Sequence, residues 1–248
     1  MDDAYKEYEY RRFKPPLFRR KRLFALLVTL VILVTVFFCA NLVFGFVNLS
    51  PSGPGNTLDI QSTTFHVTQS EPYTDKAKAM FAGVAVRREG GSGYLVAQDN
   101  AWRVIHQVRN QTFTGAVSIT TTPARMTLTD NEHRGLVEIL VASFVATFDT
   151  LNDFFTRFTD NSLSQREISN SARIAYNNLL DLTVQLELVQ STARNPHYAM
   201  LLEQLTFQLL GLHLIWMDGN SENFSHVMQN AMSWTIFAFK HLTESLIR

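Results

Sequence analysis

The stretch TTFHVTQSEPYTDKAKAMFAGVAVRREGGSGYLVAQDNAWRVIHQV, residues 63–108, decides the fold of the chain. Its first eight residues are rich in β-branched and aromatic types, which predicts a strand, and residues 94–97 and 101–108 predict two more. Between the first two strands, Thr74-Asp75 predicts a helix start, and five apolar residues then recur at helical spacing to a helix end near Arg88. These five are Ala77, Met80, Phe81, Val84 and Ala85. The predicted order is therefore β-α-β-β.

The third strand, residues 101–108, alternates in a way that predicts which side chains share a face of the sheet. One face would carry Trp102, Val104, His106 and Val108. The opposite face would carry Arg103, Ile105 and Gln107. A fourth strand is predicted within residues 116–129, where Pro123 interrupts it because proline cannot donate to a strand ladder.

Four segments of this stretch resemble the SPOR (sporulation-related repeat) family. Residues 74–79, TDKAKA, are similar to its helix rich in spaced alanines. Residues 65–73, FHVTQSEPY, are similar to the opening strand of that family. Residues 90–94, GGSGY, are similar to its glycine turn, and residues 100–104, NAWRV, to its third strand. The sequence departs from the family pattern at Glu71, where a glycine is usual, and after Val108, where the family's second helix is not visible.

The resemblance implies a small ferredoxin-type β-α-β-β-α-β sheet domain, over residues 63–129, that binds glycan strands of peptidoglycan at division or sporulation septa. The residues that match the family motif and would contact the glycan are Gln69, Tyr73, Tyr94, Trp102 and Arg103. The glutamine and arginine would hydrogen-bond to sugar oxygens, and the aromatic rings would lie against sugar faces. The alternative is structural: the aromatic residues are half-buried in the sheet and Gln69 is a solvated strand residue.

Residues 23–47, LFALLVTLVILVTVFFCANLVFGFV, carry no charge. As a helix they would extend roughly 37 Å, enough to cross a bilayer core of about 30 Å. Residues 1–22 hold eight basic and four acidic residues, a net charge of +4, so the positive-inside rule predicts a cytoplasmic tail that meets anionic lipid. We predict a single uncleaved transmembrane helix in the cell membrane, then a linker at 48–62, with residues 48–248 extracytoplasmic.

From residue 130 onward the apolar period changes to 3.6, which predicts an all-α four-helix bundle over residues 130–248. Capping boxes at Thr129–Glu132 and Ser164–Glu167 predict two helix starts. Asn195-Pro196 and Ser221 predict the other two starts. The predicted fold class is therefore α+β, with a transmembrane helix, a sheet domain and a helical bundle in chain order.

Composition argues against several function classes. Residues 23–248 hold 14 basic and 18 acidic residues, a net charge of −4, which argues against nucleic acid as a partner. The single cysteine, Cys39, lies in the predicted span, so no disulfide framework is possible. The seven histidines have no metal-ligand spacing, and no nucleophile motif or phosphate cradle is present, so we predict no metal, no cofactor and no enzyme.

Two functional hypotheses remain. In the first, a single-span envelope protein binds peptidoglycan glycan strands through the SPOR-like domain. In the second, the SPOR-like part is only structural, and the helical bundle acts as a scaffold that binds a protein partner or a second copy. Most aromatic residues of the bundle are expected in its core, with Phe154 and Phe239 as candidates for such a surface.

Overall fold

The computed structural model describes residues 57–98, 100–129, 132–219 and 221–247. The predicted tail and transmembrane helix, residues 1–47, lie outside the described residues, as do residues 48–56 of the predicted linker. The strands are β1 (Thr57–Ile60), β2 (Thr64–Gln69), β3 (Tyr94–Gln98), β4 (Ala101–Arg109), β5 (Val117–Thr120) and β6 (Ala124–Thr127). The helices are α1 (Lys76–Arg88), α2 (Arg134–Thr159), α3 (Gln165–Ala193), α4 (Pro196–Met217) and α5 (Phe224–Ser245). The described residues are thus α+β, as predicted.

The main sheet has four antiparallel strands in the order β3-β4-β2-β5. Because β4 lies between β2 and β3, the unit β2-α1-β3 is a split β-α-β unit. The strands predicted at 63–70, 94–97 and 101–108 are confirmed as β2, β3 and β4. Residues 110–116 form turns between β4 and β5, in agreement with the predicted lack of a second helix there.

A second, two-stranded sheet pairs β1 with β6, and it corrects the predicted linker. Residues 57–60 fall inside the predicted linker at 48–62, yet they form a strand. Leu58 pairs with Met126 and Ile60 pairs with Ala124. Leu58 and Ile60 are 1% and 3% exposed, so burial of alternate apolar side chains stabilises this strand. The predicted fourth strand at 116–129 is likewise two strands, β5 and β6, in different sheets.

Helix α1 begins where the sequence predicts, with the Asp75 side chain accepting a hydrogen bond from the Ala77 N–H at 2.8 Å. Its buried residues are Ala79, Gly83 and Val86. The apolar stripe that predicts the helix lies on the other side, facing solvent. A Cβ at position 83 would lie 2.9 Å from the carbonyl oxygen of Gly93, so glycine allows the helix to approach the turn before β3.

The two faces of β4 differ from the predicted alternation. The register between β2 and β4 shifts between Thr68 and Gln69, so β4 contains one extra residue. An extra residue moves the side chains beyond it to the opposite face. Val104 packs in a small cluster with Ala79 under α1, whereas Val108 joins the large cluster shared with the C-terminal helices. The prediction that Val104 and Val108 share a face is therefore wrong.

The main sheet lies between α1 and the C-terminal helices α2–α5, which we call the helical half. On the side of the helical half, the Phe65 ring makes edge contacts with Phe148 of α2 and Phe237 of α5, at centroid distances of 6.3 and 5.4 Å. One continuous buried cluster holds residues of both sheets and all four helices. Residues 47–248 accordingly form one compact unit, across the predicted boundary at residue 129.

The helical half contains four long helices in which α3 and α5 each contact both α2 and α4. The Ser164–Glu167 capping box and the Asn195 cap of α4 are confirmed. Two predicted starts are wrong: α2 begins at Arg134 rather than after Thr129, and the residue before α5 is Asn223 rather than Ser221. Thr129 is instead engaged in the loop, where its backbone N–H donates to the Tyr198 hydroxyl at 3.1 Å.

By length and composition alone, α2 and α4 could also cross a membrane. In the most apolar 18-residue segment of each helix, 33% and 39% of the residues, respectively, are buried inside the domain. Apolar helices of this kind also occur in the cores of domains that do not span membranes. Both helices contribute residues to the large buried cluster. We therefore treat α2 and α4 as packed helices of the domain.

Candidate functional site

Tyr94 lies on the face of the sheet that the helical half covers. Its ring stacks on Phe237 with a centroid distance of 5.2 Å and an interplanar angle of 14°. Burial raises the pKa of the Tyr94 hydroxyl because the phenolate would be poorly solvated. A sugar ring could reach this aromatic face only by displacing Phe237.

Gln69 and Arg103 share the side of the sheet on which Tyr94 lies. Gln69 and Tyr94 both pair with Ile105, so their side chains lie on the same face as that residue. Arg103 pairs with Val96, which lies two residues after Tyr94 in β3 and therefore on the same face as Tyr94. Both Gln69 and Arg103 are half-buried. One guanidinium nitrogen of Arg103 donates to the Ser70 carbonyl at 3.2 Å, so this arginine already fixes the end of β2.

Tyr73 and Trp102 lie together on the side of α1. Their backbones exchange hydrogen bonds of 2.8 and 2.7 Å, which forms an isolated bridge beyond the end of β2. Both side chains pack partly buried against the small cluster under α1. The Lys76 ammonium lies 4.8 Å from the centroid of the Trp102 ring, a cation–π contact that covers one face of the indole.

The five residues expected from the resemblance are therefore divided between two sides of one sheet. Gln69, Tyr94 and Arg103 face the helical half, and Tyr73 and Trp102 face α1. A single glycan strand cannot contact both sides of a sheet at once. The structural alternative accounts for the positions of all three aromatic rings.

Buried polar contacts fix the sheet to α5. The Gln229 side-chain oxygen accepts the Val108 N–H at 2.9 Å, and the Ser92 and Ser233 hydroxyls lie 2.7 Å apart. These four residues are fully or nearly fully buried. Such contacts are costly to break in a medium of low dielectric, so they specify one position of α5 on the sheet.

A histidine lies at the edge of this contact region. The Nδ1 atom of His226 lies 2.7 Å from the Gly91 carbonyl oxygen, an arrangement in which the imidazole N–H donates. Burial lowers the pKa of His226, and the nearby Arg87 charge lowers it further, while the bond to Gly91 and the Asp218 charge raise it. The neutral imidazole is therefore the form that suits the folded protein.

Among residues 57–98, 100–129, 132–219 and 221–247, no group of three His, Cys, Asp or Glu side chains could hold a metal ion.

The polar cluster between the β4–β5 turn and α2 holds Asn110, Asp149 and Asn152. The Asn110 amide donates to the Asp149 carboxylate at 3.0 Å and accepts from the Asn152 amide at 2.7 Å. These contacts join the turn to α2.

The outward face of α4 carries an apolar row that we call the α4 stripe: Phe207, Leu210, Leu214 and Met217. Phe207, Leu210 and Met217 are 41%, 43% and 62% exposed, and Leu214 is half-buried. Their spacing of three, four and three residues is that of a coiled-coil seam. The stripe was detectable in the sequence as a second apolar face of a helix that contains one acidic residue, Glu203, and no lysine or arginine.

The residues predicted as a partner surface do not form one. Phe239 is 2% exposed and its ring lies 5.8 Å from that of Phe144. Phe154 packs partly buried against the large cluster. The position of Phe239 off the main apolar row reflects burial on more than one side of α5, since α5 contacts α2, α4 and both sheets.

Comparisons of the chain with protein-family models, with curated proteins and with solved structures find no match.

Proposed function

We propose that the chain is a membrane-anchored scaffold of the bacterial cell envelope, whose extracytoplasmic domain associates with a second copy through the α4 stripe. The observation that carries the proposal is this row of exposed apolar residues on a helix that has a single charged residue, Glu203. In this proposal the four helices form the predicted up-and-down bundle, the sheet domain braces it, and no covalent chemistry is involved.

The spacing of the stripe supports a second copy as the partner. Rows at positions a and d of a heptad pack against an identical row, because each side chain enters a gap on the facing helix. Phe207, Leu210 and Met217 would bury apolar area that is exposed in a single copy. The predicted transmembrane helix would also confine all copies to one membrane and raise their effective concentration.

The test is sedimentation equilibrium of residues 47–248, which form a compact unit with their own core. We expect a concentration-dependent dimer, and we expect Leu210→Glu to weaken it at least about tenfold because a carboxylate would be buried at the seam. Val117→Glu is the matched control, since Val117 is 50% exposed on β5. A wild-type domain that stays monomeric at all concentrations would refute self-association. Binding of a different protein to the α4 stripe would make that protein the partner in place of a second copy.

Glycan binding is the second candidate, and one observation favours it. The split β-α-β arrangement of β2, α1 and β3 agrees with the ferredoxin-type sheet that the SPOR resemblance implies. Of the residues expected to bind, Gln69 and Arg103 share one side of the sheet and are only half-buried. We propose these two as the glycan contacts if this function is retained.

This candidate is tested with peptidoglycan sacculi. Residues 47–248 would be enriched on sacculi treated with an amidase, which removes the peptide stems, relative to untreated sacculi. Arg103→Ala and Gln69→Ala would reduce the enrichment, and Gln107→Ala, an exposed residue of β4, would not. Equal and weak binding to both kinds of sacculi would leave the scaffold as the function.

A further inference from the structure

The outer face of α1 is an amphipathic surface that the domain leaves uncovered. We call its apolar residues the α1 stripe: Ala77, Met80, Phe81, Val84 and Ala85. Met80, Phe81 and Val84 are 53%, 77% and 39% exposed. The opposite side of the helix, through Ala79, Gly83 and Val86, contacts the sheet. The α1 stripe therefore belongs to neither the large nor the small buried cluster, whereas the apolar rows of α2 and α5 lie in the large one.

The charges of α1 are all positive. The helix contains Lys76, Lys78, Arg87 and Arg88 and no acidic residue, with Asp75 and Glu89 directly outside its two ends. All other positions of residues 48–248 together hold ten basic and 18 acidic residues. The helix therefore carries a charge of +4, at the two ends of its apolar surface, whereas the rest of residues 48–248 has a net charge of −8.

We propose that the α1 stripe docks on the anionic surface of the membrane, an inference that rests on the membrane anchor of the proposed function. Apolar side chains flanked by lysine and arginine are the pattern of helices that lie in the plane of a membrane interface. Phe81, Met80 and Val84 would enter the boundary between head groups and acyl chains. Lys78 and Arg88 would lie among the lipid phosphates.

The length of chain before the domain favours this partner over a soluble one. Nine residues, 48–56, separate the predicted transmembrane helix from β1. Fully extended, nine residues cover about 30 Å, roughly the width of a small domain. The domain would therefore stay within reach of the lipid surface at all times, so even weak affinity of α1 for lipid would hold it there.

The test uses the full chain with Cys39→Ser, so that one introduced cysteine carries an environment-sensitive fluorophore. Phe81→Cys is labelled in nanodiscs of phosphatidylcholine with or without phosphatidylglycerol. Leu188→Cys is the control, because Leu188 is 67% exposed on α3, a helix with two arginines and three acidic residues. We expect a blue shift and quenching by lipid-attached quenchers only for the label at position 81, and more strongly with phosphatidylglycerol.

A charge variant separates lipid docking from effects of the label. Lys78→Glu with Arg88→Glu would reduce the quenching at position 81 at least about fivefold, since each cation contributes to attraction by anionic lipid. Arg173→Glu, at an exposed position of α3, would leave it unchanged. A label at position 81 that stays in water with both lipids would overturn the proposal. A blue shift that depends on protein density and not on lipid would assign the stripe to a second copy instead.

Discussion

The Tyr94 ring of β3 stacks on the Phe237 ring of α5, with centroids 5.2 Å apart and planes at 14°. This contact decides what the main sheet can do, because it occupies one of the aromatic faces that the SPOR resemblance assigns to a sugar. The sheet is held to α5 on that side and to α1 on the other. The exposed apolar rows lie instead on the outer faces of α1 and α4.

Removing the Tyr94 ring should destabilise the domain. We expect Tyr94→Ala to lower the free energy of unfolding by about 3 kcal/mol, since a buried aromatic contact and its packing are lost. Urea denaturation of residues 47–248 measures this change. Tyr94→Phe, which keeps the stacked ring, should cost about 1 kcal/mol or less. An unchanged midpoint for Tyr94→Ala would show that the ring does not pack on α5.

The Gln229 side chain should contribute to stability through one hydrogen bond. Gln229→Met keeps a similar volume but leaves the buried Val108 N–H without its acceptor. An unpaired buried donor costs about 1–3 kcal/mol, but methionine also removes the Gln229 Nε2 amide, which is itself buried without a partner, so we expect a net loss of about 1 kcal/mol. Gln107→Met, at an exposed position of β4, is the control and should change stability by less than about 0.5 kcal/mol. Equal effects of the two substitutions would contradict the role of Gln229.

Two helical glycines should respond to alanine with opposite signs. At Gly83 the new Cβ would lie 2.9 Å from the Gly93 carbonyl oxygen, so α1 must shift and we expect a loss of about 1–3 kcal/mol. At Gly135, in the first turn of α2, the new Cβ would have no atom of the described residues within 4 Å beyond its own helix turn. There alanine should stabilise the protein by about 0.5–1 kcal/mol, because it restricts the unfolded chain. Thermal unfolding of both variants tests the pair, and a stabilised Gly83→Ala would contradict the close approach of α1.

Stability should fall as the pH falls, in part because of His226. Its pKa is lowered in the folded protein, so below the unfolded value of about 6.5 the unfolded chain binds a proton that the folded protein does not. The free energy of unfolding is therefore expected to decrease as the pH falls through about 6.5. His226→Gln, which can still donate to the Gly91 carbonyl, should flatten this dependence. Identical pH profiles for the variant and the wild type would exclude His226 as a contributor.

Much of the local structure follows from the sequence alone. The strands β2 to β4 and the start of α1 at Asp75 follow from residue type, period and turn chemistry. The capping box at Ser164 and the cap at Asn195 also form as predicted, because cap residues act on neighbouring backbone groups. Features of this kind depend on few residues that are close in the chain.

Features that depend on distant parts of the chain were not predictable. The extra residue in β4 reverses the face of Val108, and only the pairing with β2 shows it. The strand β1 forms because β6, more than 60 residues later, provides its partner. Phe237, which covers Tyr94, lies 143 residues later in the chain, so no local sequence pattern predicts this contact. For the same reason the division of Gln69, Tyr94 and Arg103 from Tyr73 and Trp102, on two sides of the sheet, could not be predicted from the sequence.

The measurement that tests the scaffold most directly is cross-linking in the membrane of living cells. The full chain would carry Cys39→Ser and Leu210→Cys, and a short bismaleimide would join cysteines that lie close together in two copies. The α4 stripe predicts a cross-linked dimer from Leu210→Cys and none from Val117→Cys, although Val117 on β5 is slightly more exposed, at 50% against 43%. Absence of the dimer with Leu210→Cys, or equal yields from both positions, would contradict the account.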